Sequence, residues 1–196
     1  MGEFGVINLD KLYSYKHLFG FFAQQLTYPD KLDFHPSVLE GLTEETDPAY
    51  EHIERFWKLI HGYSMEEIEE MYVQTFDFQK DSTLYMTYFK FEDSKERGQM
   101  LAKLKILYQM FGLDMPEEEL SDYLPLMCEF IYAAEWKGYS QAEKDFSVFI
   151  SVIEDGTYHL LKSLEKNNSP YYHLVKALRE TLKACVRQEA SDHELA

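Results

Sequence analysis

Seven histidines (His17, His35, His52, His61, His159, His173 and His193) among 35 carboxylates are the raw material of a helical di-iron or zinc centre. Their spacing rejects that chemistry. There is no H-E-x-x-H, and no histidine has a glutamate three residues before it, so the Glu-x-x-His pairs of di-iron bundles are missing. The chain also lacks a G-x-S-x-G elbow, a P-loop and a G-x-G-x-x-G turn. Cys128 and Cys185 form no C-x-x-C, and Cys128 reads as a small core residue. A catalytic triad dispersed along the chain would leave no local trace. The histidines read as surface or boundary side chains.

What remains is chemistry of binding, concentrated between Tyr72 and Phe130. Tyr72-Val73-Gln74-Thr75-Phe76-Asp77 ends in an anion near a helix C-terminus, which faces the negative end of the helix dipole. Asp77 therefore needs either an internal partner, with Arg97 the candidate, or a role as an anion held for a basic ligand. Tyr85, Tyr88 and Phe89 could be core or groove, since tyrosine offers apolar area with a polar tip. Gly98, early in a helix beside Arg97, costs about 1 kcal/mol relative to alanine. The expected reason is close packing of a neighbouring helix. Asp122 reads as a helix N-cap and Glu129 as a solvated face, or both as further anions of a groove.

Composition narrows the ligand. The chain has 196 residues, 19 Lys+Arg against 35 Asp+Glu, and a net charge of −16. Nucleic acid needs the opposite sign, whereas an acidic field attracts basic peptides. At 45% hydrophobic and 16% aromatic residues it is not a disordered chain. The most apolar short run, Leu18 to Ala23, is far short of the ~20 residues of a membrane span. With two isolated cysteines and no basic, apolar leader, a reducing cytoplasm is the expected compartment.

These residues must be positioned by helices. Leu9 to Leu26 carries one apolar stripe and reads as the first helix, stopped at Tyr28-Pro29-Asp30. A short helix is expected after Pro36 through Val38 and Leu39. Asp47-Pro48 reads as the start of a helix with Ile53, Phe56, Trp57 and Ile60 inward, ended by Gly62 in the left-handed region. Ser64-Met65-Glu66-Glu67 is a capping box, and Asp93 opens a helix with Met100, Leu101, Leu104, Tyr108 and Phe111 inward and Gly112 beyond its end. Asp122 caps a helix with Pro125 in its first turn. Ser140 to Glu143 forms a second capping box, before a helix expected to bend or break near Gly156. Asn167 to Pro170 separates it from a last helix carrying Leu174, Val175, Leu178 and Leu182. No segment alternates at period two. The expectation is all-α: a single-domain helical bundle of roughly seven to nine helices over 1–188, with a polar C-terminal tail at 189–196.

The blocks Tyr72 to Asp77, Leu84-Tyr85, Arg97-Gly98, Leu101, Tyr108, Gly112, Glu119-Leu120, Asp122-Tyr123-Leu124-Pro125 and Glu129-Phe130, in this order, resemble the nitrate reductase molybdenum-cofactor assembly chaperones. This is the delta subunit or NarJ family, related to TorD-type redox-enzyme maturation proteins. Ser121 departs from the proline usual before Asp-Tyr-Leu-Pro, and Ser94-Lys95 from a more basic stretch. The resemblance implies a TorD-like cytoplasmic chaperone, not an enzyme. Its partner would be the catalytic (alpha) subunit of a respiratory nitrate reductase, bound through an N-terminal segment like a remnant twin-arginine signal. The resemblance also implies that no cofactor is held stably, because the molybdenum cofactor concerns the client. The residues expected to line the peptide site are Tyr72, Phe76, Asp77, Tyr85, Tyr88, Arg97, Asp122, Tyr123 and Glu129. Neither nucleic acid nor direct membrane insertion is expected, and a homodimer is left open. A helical metal protein or enzyme, and an oligomeric scaffold, are the competing readings.

Overall fold

A computed structural model describes residues 6–31, 38–91, 93–139 and 141–186. Among these are eight α-helices: α1 (Leu9–Ser14), α2 (Lys16–Gln25), α3 (Tyr50–Ile60), α4 (Met65–Tyr72), α5 (Ser94–Met110), α6 (Leu124–Ala133), α7 (Ala142–Lys166) and α8 (Tyr171–Ala184). Extended pairing among the described residues is confined to two isolated bridges, Ile7 with Val186 and Tyr85 with Tyr123. The all-α expectation and its helix count therefore hold.

The centre is α2 against α6 and α8, with α3 and α7 packed on α8. Its interior is aromatic: Phe19, Phe22, Phe56, Phe146, Phe149, Tyr108 and Tyr171 are fully buried. The rings of Phe130, Phe146, Phe149 and Tyr108 meet at centroid distances of 4.9 to 6.2 Å, the offset and edge arrangements that the ring quadrupole favours.

Local signals succeeded where the chain's own neighbours decide the geometry. Ser64 and Glu67 form the capping box reciprocally, Asp93 accepts from the Lys95 amide to start α5, and Gly112 ends that helix at φ 71°. Ile53, Phe56, Trp57 and Ile60 are all buried on α3.

Elsewhere tertiary contacts override the local reading. The first helix is two, because the turn at Tyr15 (φ −98°, ψ 9°) lets α1 run back to the chain's other end. There the Asn8 amide donates to the Cys185 carbonyl at 2.7 Å. Asp47 does not cap α3; it accepts from the Glu44 amide at 2.8 Å inside the preceding turn, and Ala49 is the cap. Gly62 is not among the residues with positive φ; its amide bonds Leu59 at 3.2 Å, a tightened last turn.

Gly156 does not break α7, which runs unbroken from Ala142 to Lys166. A Cβ there would lie 2.7 Å from Met86 Cα and 2.6 Å from Met86 Sδ, so the glycine admits the backbone of a crossing segment. At Gly98 the expected close neighbour is missing, since an added Cβ would meet nothing within 4 Å; nothing in the structure explains that glycine. Residues 32–37, where the short helix after Pro36 would start, Ser140 of the second capping box and the tail 189–196 lie outside the described residues. Gln141 makes no side-chain cap for α7.

Candidate functional site

The segments 84–88 and 119–124 cross antiparallel: the Met86 amide donates to the Asp122 carbonyl at 2.9 Å, and the Leu124 amide to the Leu84 carbonyl at 2.8 Å. Asp122, expected as a helix cap, is fully buried here instead, and Tyr123 takes the cap position of α6 without a side-chain bond. The Asp122 carboxylate accepts from the Thr87 amide at 3.0 Å and from the Thr87 hydroxyl. Arg97 lies 3.5 Å from the same oxygen, and its Nε donates to the Thr87 hydroxyl oxygen at 3.0 Å. Arg97 thus neutralises Asp122, not Asp77. Burying this carboxylate is tolerable because it is paired and hydrogen-bonded. The trio latches the crossing to α5, and the Tyr108 hydroxyl (to Ser121 O, 2.6 Å) and Ser121 Oγ (to Leu101 O, 2.7 Å) extend it.

The latch orients Tyr123 outward. Its hydroxyl lies 3.4 Å from that of Tyr72, which itself donates to the Leu26 carbonyl at the end of α2. Tyr85 packs beside Tyr123 at 5.6 Å between ring centroids and donates to Glu119 at 3.1 Å. Burial, reinforced by Glu119, pushes the Tyr85 phenol up to about 12. Burial also raises Tyr72 and Tyr123, and the charge of Asp77 adds to both. Asp77 itself is exposed, with no ion pair among the described residues.

Beyond Tyr123 opens a groove of about 790 Å³ between α2 and α6, closed at the sides by Val38, Leu42 and the 116–119 turn. Its floor is apolar or small: Gly20, Phe21, Ala23, Pro125, Leu126 and Tyr132. Among the described residues its charged ones are Glu118, Glu119 and Glu129, with no lysine or arginine in its lining. An apolar trough whose charged residues are carboxylates suits a polypeptide segment with one apolar and one basic face. No helix among the described residues is long and apolar enough to cross a membrane.

The expected site residues are therefore spread over several settings. Tyr123 and Glu129 line the groove. Tyr72 and Tyr85 support Tyr123, while Asp77 contributes field from its exposed position. Phe76 is buried between Tyr72 and Tyr171, 4.9 Å from each. Tyr88 is exposed and packs edge-on to Phe89; like Arg97 and Asp122, it is not part of the groove wall. Sequence reasoning missed the whole α2 wall, His17 to Thr27. The small residues Gly20 and Ala23 inside that aromatic helix were the available signal.

The profile of the family described as nitrate reductase delta subunit matches residues 39–177. A probable nitrate reductase molybdenum cofactor assembly chaperone, NarJ of Bacillus subtilis, is 40% identical over 65% of this chain and 66% of its own length. The chain thus spans just under two thirds of that relative. A nitrate reductase-like protein of Mycobacterium tuberculosis, NarX, is 28% identical over 56% of this chain and 16% of its own length. The profile match includes the α6 wall of the groove but not α2.

Proposed function

The chain belongs to the nitrate reductase delta subunit family, and from that premise we propose that it is an assembly chaperone acting by binding rather than catalysis. Its client is the apo catalytic subunit of a nitrate reductase, held until the molybdenum cofactor has entered. The chain itself keeps no cofactor. The client's N-terminal segment lies in the α2–α6 groove with its apolar side on Leu126, Pro125 and Phe21. Its basic side meets Glu118, Glu119 and Glu129. The observation carrying this reading is the groove itself, apolar in its floor and lined, among the described residues, by no lysine or arginine, in a chain of net charge −16.

The name of the Bacillus relative supports the client class. The physics supports the mode: apolar burial supplies affinity, while carboxylates that hold no ion pair among the described residues select a cationic segment and hasten its arrival. Calorimetric titration of the full chain with a peptide of the client's N-terminal segment is the test. Saturable binding that weakens as salt rises is the expected result. No binding by folded protein at low salt would remove the proposal.

A further inference from the structure

We infer that Tyr132 and Glu129 form a subsite for the guanidinium of an arginine carried by the bound polypeptide. This deepens the groove reading and rests on it. Tyr132 is a large ring on α6 that is 54% exposed, so it is not placed there to fill the core. Yet α2 makes room for it. A Cβ at Gly20 would stand 2.9 to 3.2 Å from Cδ2, Cγ and Cε2 of the Tyr132 ring, so only glycine lets the ring settle against the helix backbone. Glycine in a helix interior is unfavourable relative to alanine, and here it positions a ring whose other side faces an open groove.

Glu129 precedes Tyr132 by three residues on α6, which puts both on one side of the helix. Glu129 is exposed, lines the same groove, and has no ion pair among the described residues. A ring face attracts a cation through its quadrupole, and a carboxylate beside it supplies the counter-charge. Arginine fits this pair better than lysine. Its planar guanidinium stacks on rings, is weakly hydrated and can bond a carboxylate with two parallel N–H groups, whereas an ammonium is a compact, strongly hydrated point charge.

Two measurements on the full chain test the subsite. In the first, N-acetyl-arginine amide and N-acetyl-lysine amide are titrated while the ring resonances of Tyr132 are followed by NMR. The arginine amide should shift them saturably at several-fold lower concentration than the lysine amide, and Gly20→Ala and Glu129→Gln should each reduce the shift. In the second, the client's N-terminal peptide is compared with versions in which each arginine becomes lysine. One such change should weaken binding about tenfold, and Tyr132→Leu should weaken the parent peptide equally while abolishing that discrimination.

Equal response of Tyr132 to the two amides would overturn the subsite. So would undiminished arginine preference in Tyr132→Leu protein with unchanged circular dichroism. Discrimination between the amides without peptide binding would leave the subsite standing and the client reading lost. Tight peptide binding that ignores Tyr132 would do the reverse.

Discussion

Asp122 shows how one residue type can answer two different demands. It stands in the most family-specific stretch of the chain, where a carboxylate near rings suggests an anion waiting for a ligand. The structure surrounds it with Thr87 and Arg97 and leaves it no exposed surface. Asp122→Ala would strand the Thr87 amide and the Arg97 charge, and should cost about 3 kcal/mol of stability. Asp122→Asn retains an acceptor and should cost about 1 kcal/mol. Urea unfolding followed by circular dichroism would read both as lower midpoints at constant slope. Glu129 is the opposite case: exposed and unpaired, it can change to glutamine with stability unchanged within about 0.5 kcal/mol. Sequence could list both carboxylates but could not sort them, because burial is set by the 84–88 crossing, roughly 35 residues away in the chain.

At the scale of elements, helix existence was legible and helix junctions were not. The stripes of α3, α5 and α8 follow the 3.6-residue period, and caps at Ser64 and Asp93 depend only on the next three residues. The break at Tyr15, the continuity of α7 and the misplaced cap at Asp47 depend on contacts from elsewhere. Gly156 is the clearest example: it looks like a helix breaker and is a crossing point. Gly156→Ala should therefore destabilise by about 1–3 kcal/mol through overpacking against Met86, although alanine favours a helix by about 1 kcal/mol; thermal unfolding would register the net loss.

The contact between α3 and α8 makes a prediction of its own. His52 and His173 bring their Nδ1 atoms to 3.1 Å, where only one proton fits between them. Burial lowers the pKa of both below the usual 6.5, helped by Lys176 and Arg55 around His52 and by His52 and Arg55 around His173; Glu51 and Glu180 oppose the shift at His52. The folded chain therefore resists protons that the unfolded chain accepts. Stability from this pair is complete above pH 6.5 and declines as pH falls through the lowered folded values. Chemical denaturation between pH 7.5 and 5 should show that decline, and His173→Gln should make the curve flatter.

As a whole molecule the chain is an anion with an open apolar trough bordered by carboxylates. That combination sets a kinetic expectation. Association with a cationic client segment should slow several-fold between 50 and 500 mM salt as the field is screened, with dissociation changing less. Stopped-flow fluorescence with a labelled peptide would separate the two rates. The same charge was readable from composition alone. The location of the trough was not, because one wall is α2 and the other is α6, separated by about a hundred residues of chain that carry no shared pattern.

The most direct test of the account is to locate the client segment on the folded chain. Backbone amide shifts recorded as the peptide is added should move along α2, the 116–126 stretch and α6. Perturbations confined to the α5–α7 surface, with α2 and α6 unmoved, would contradict it.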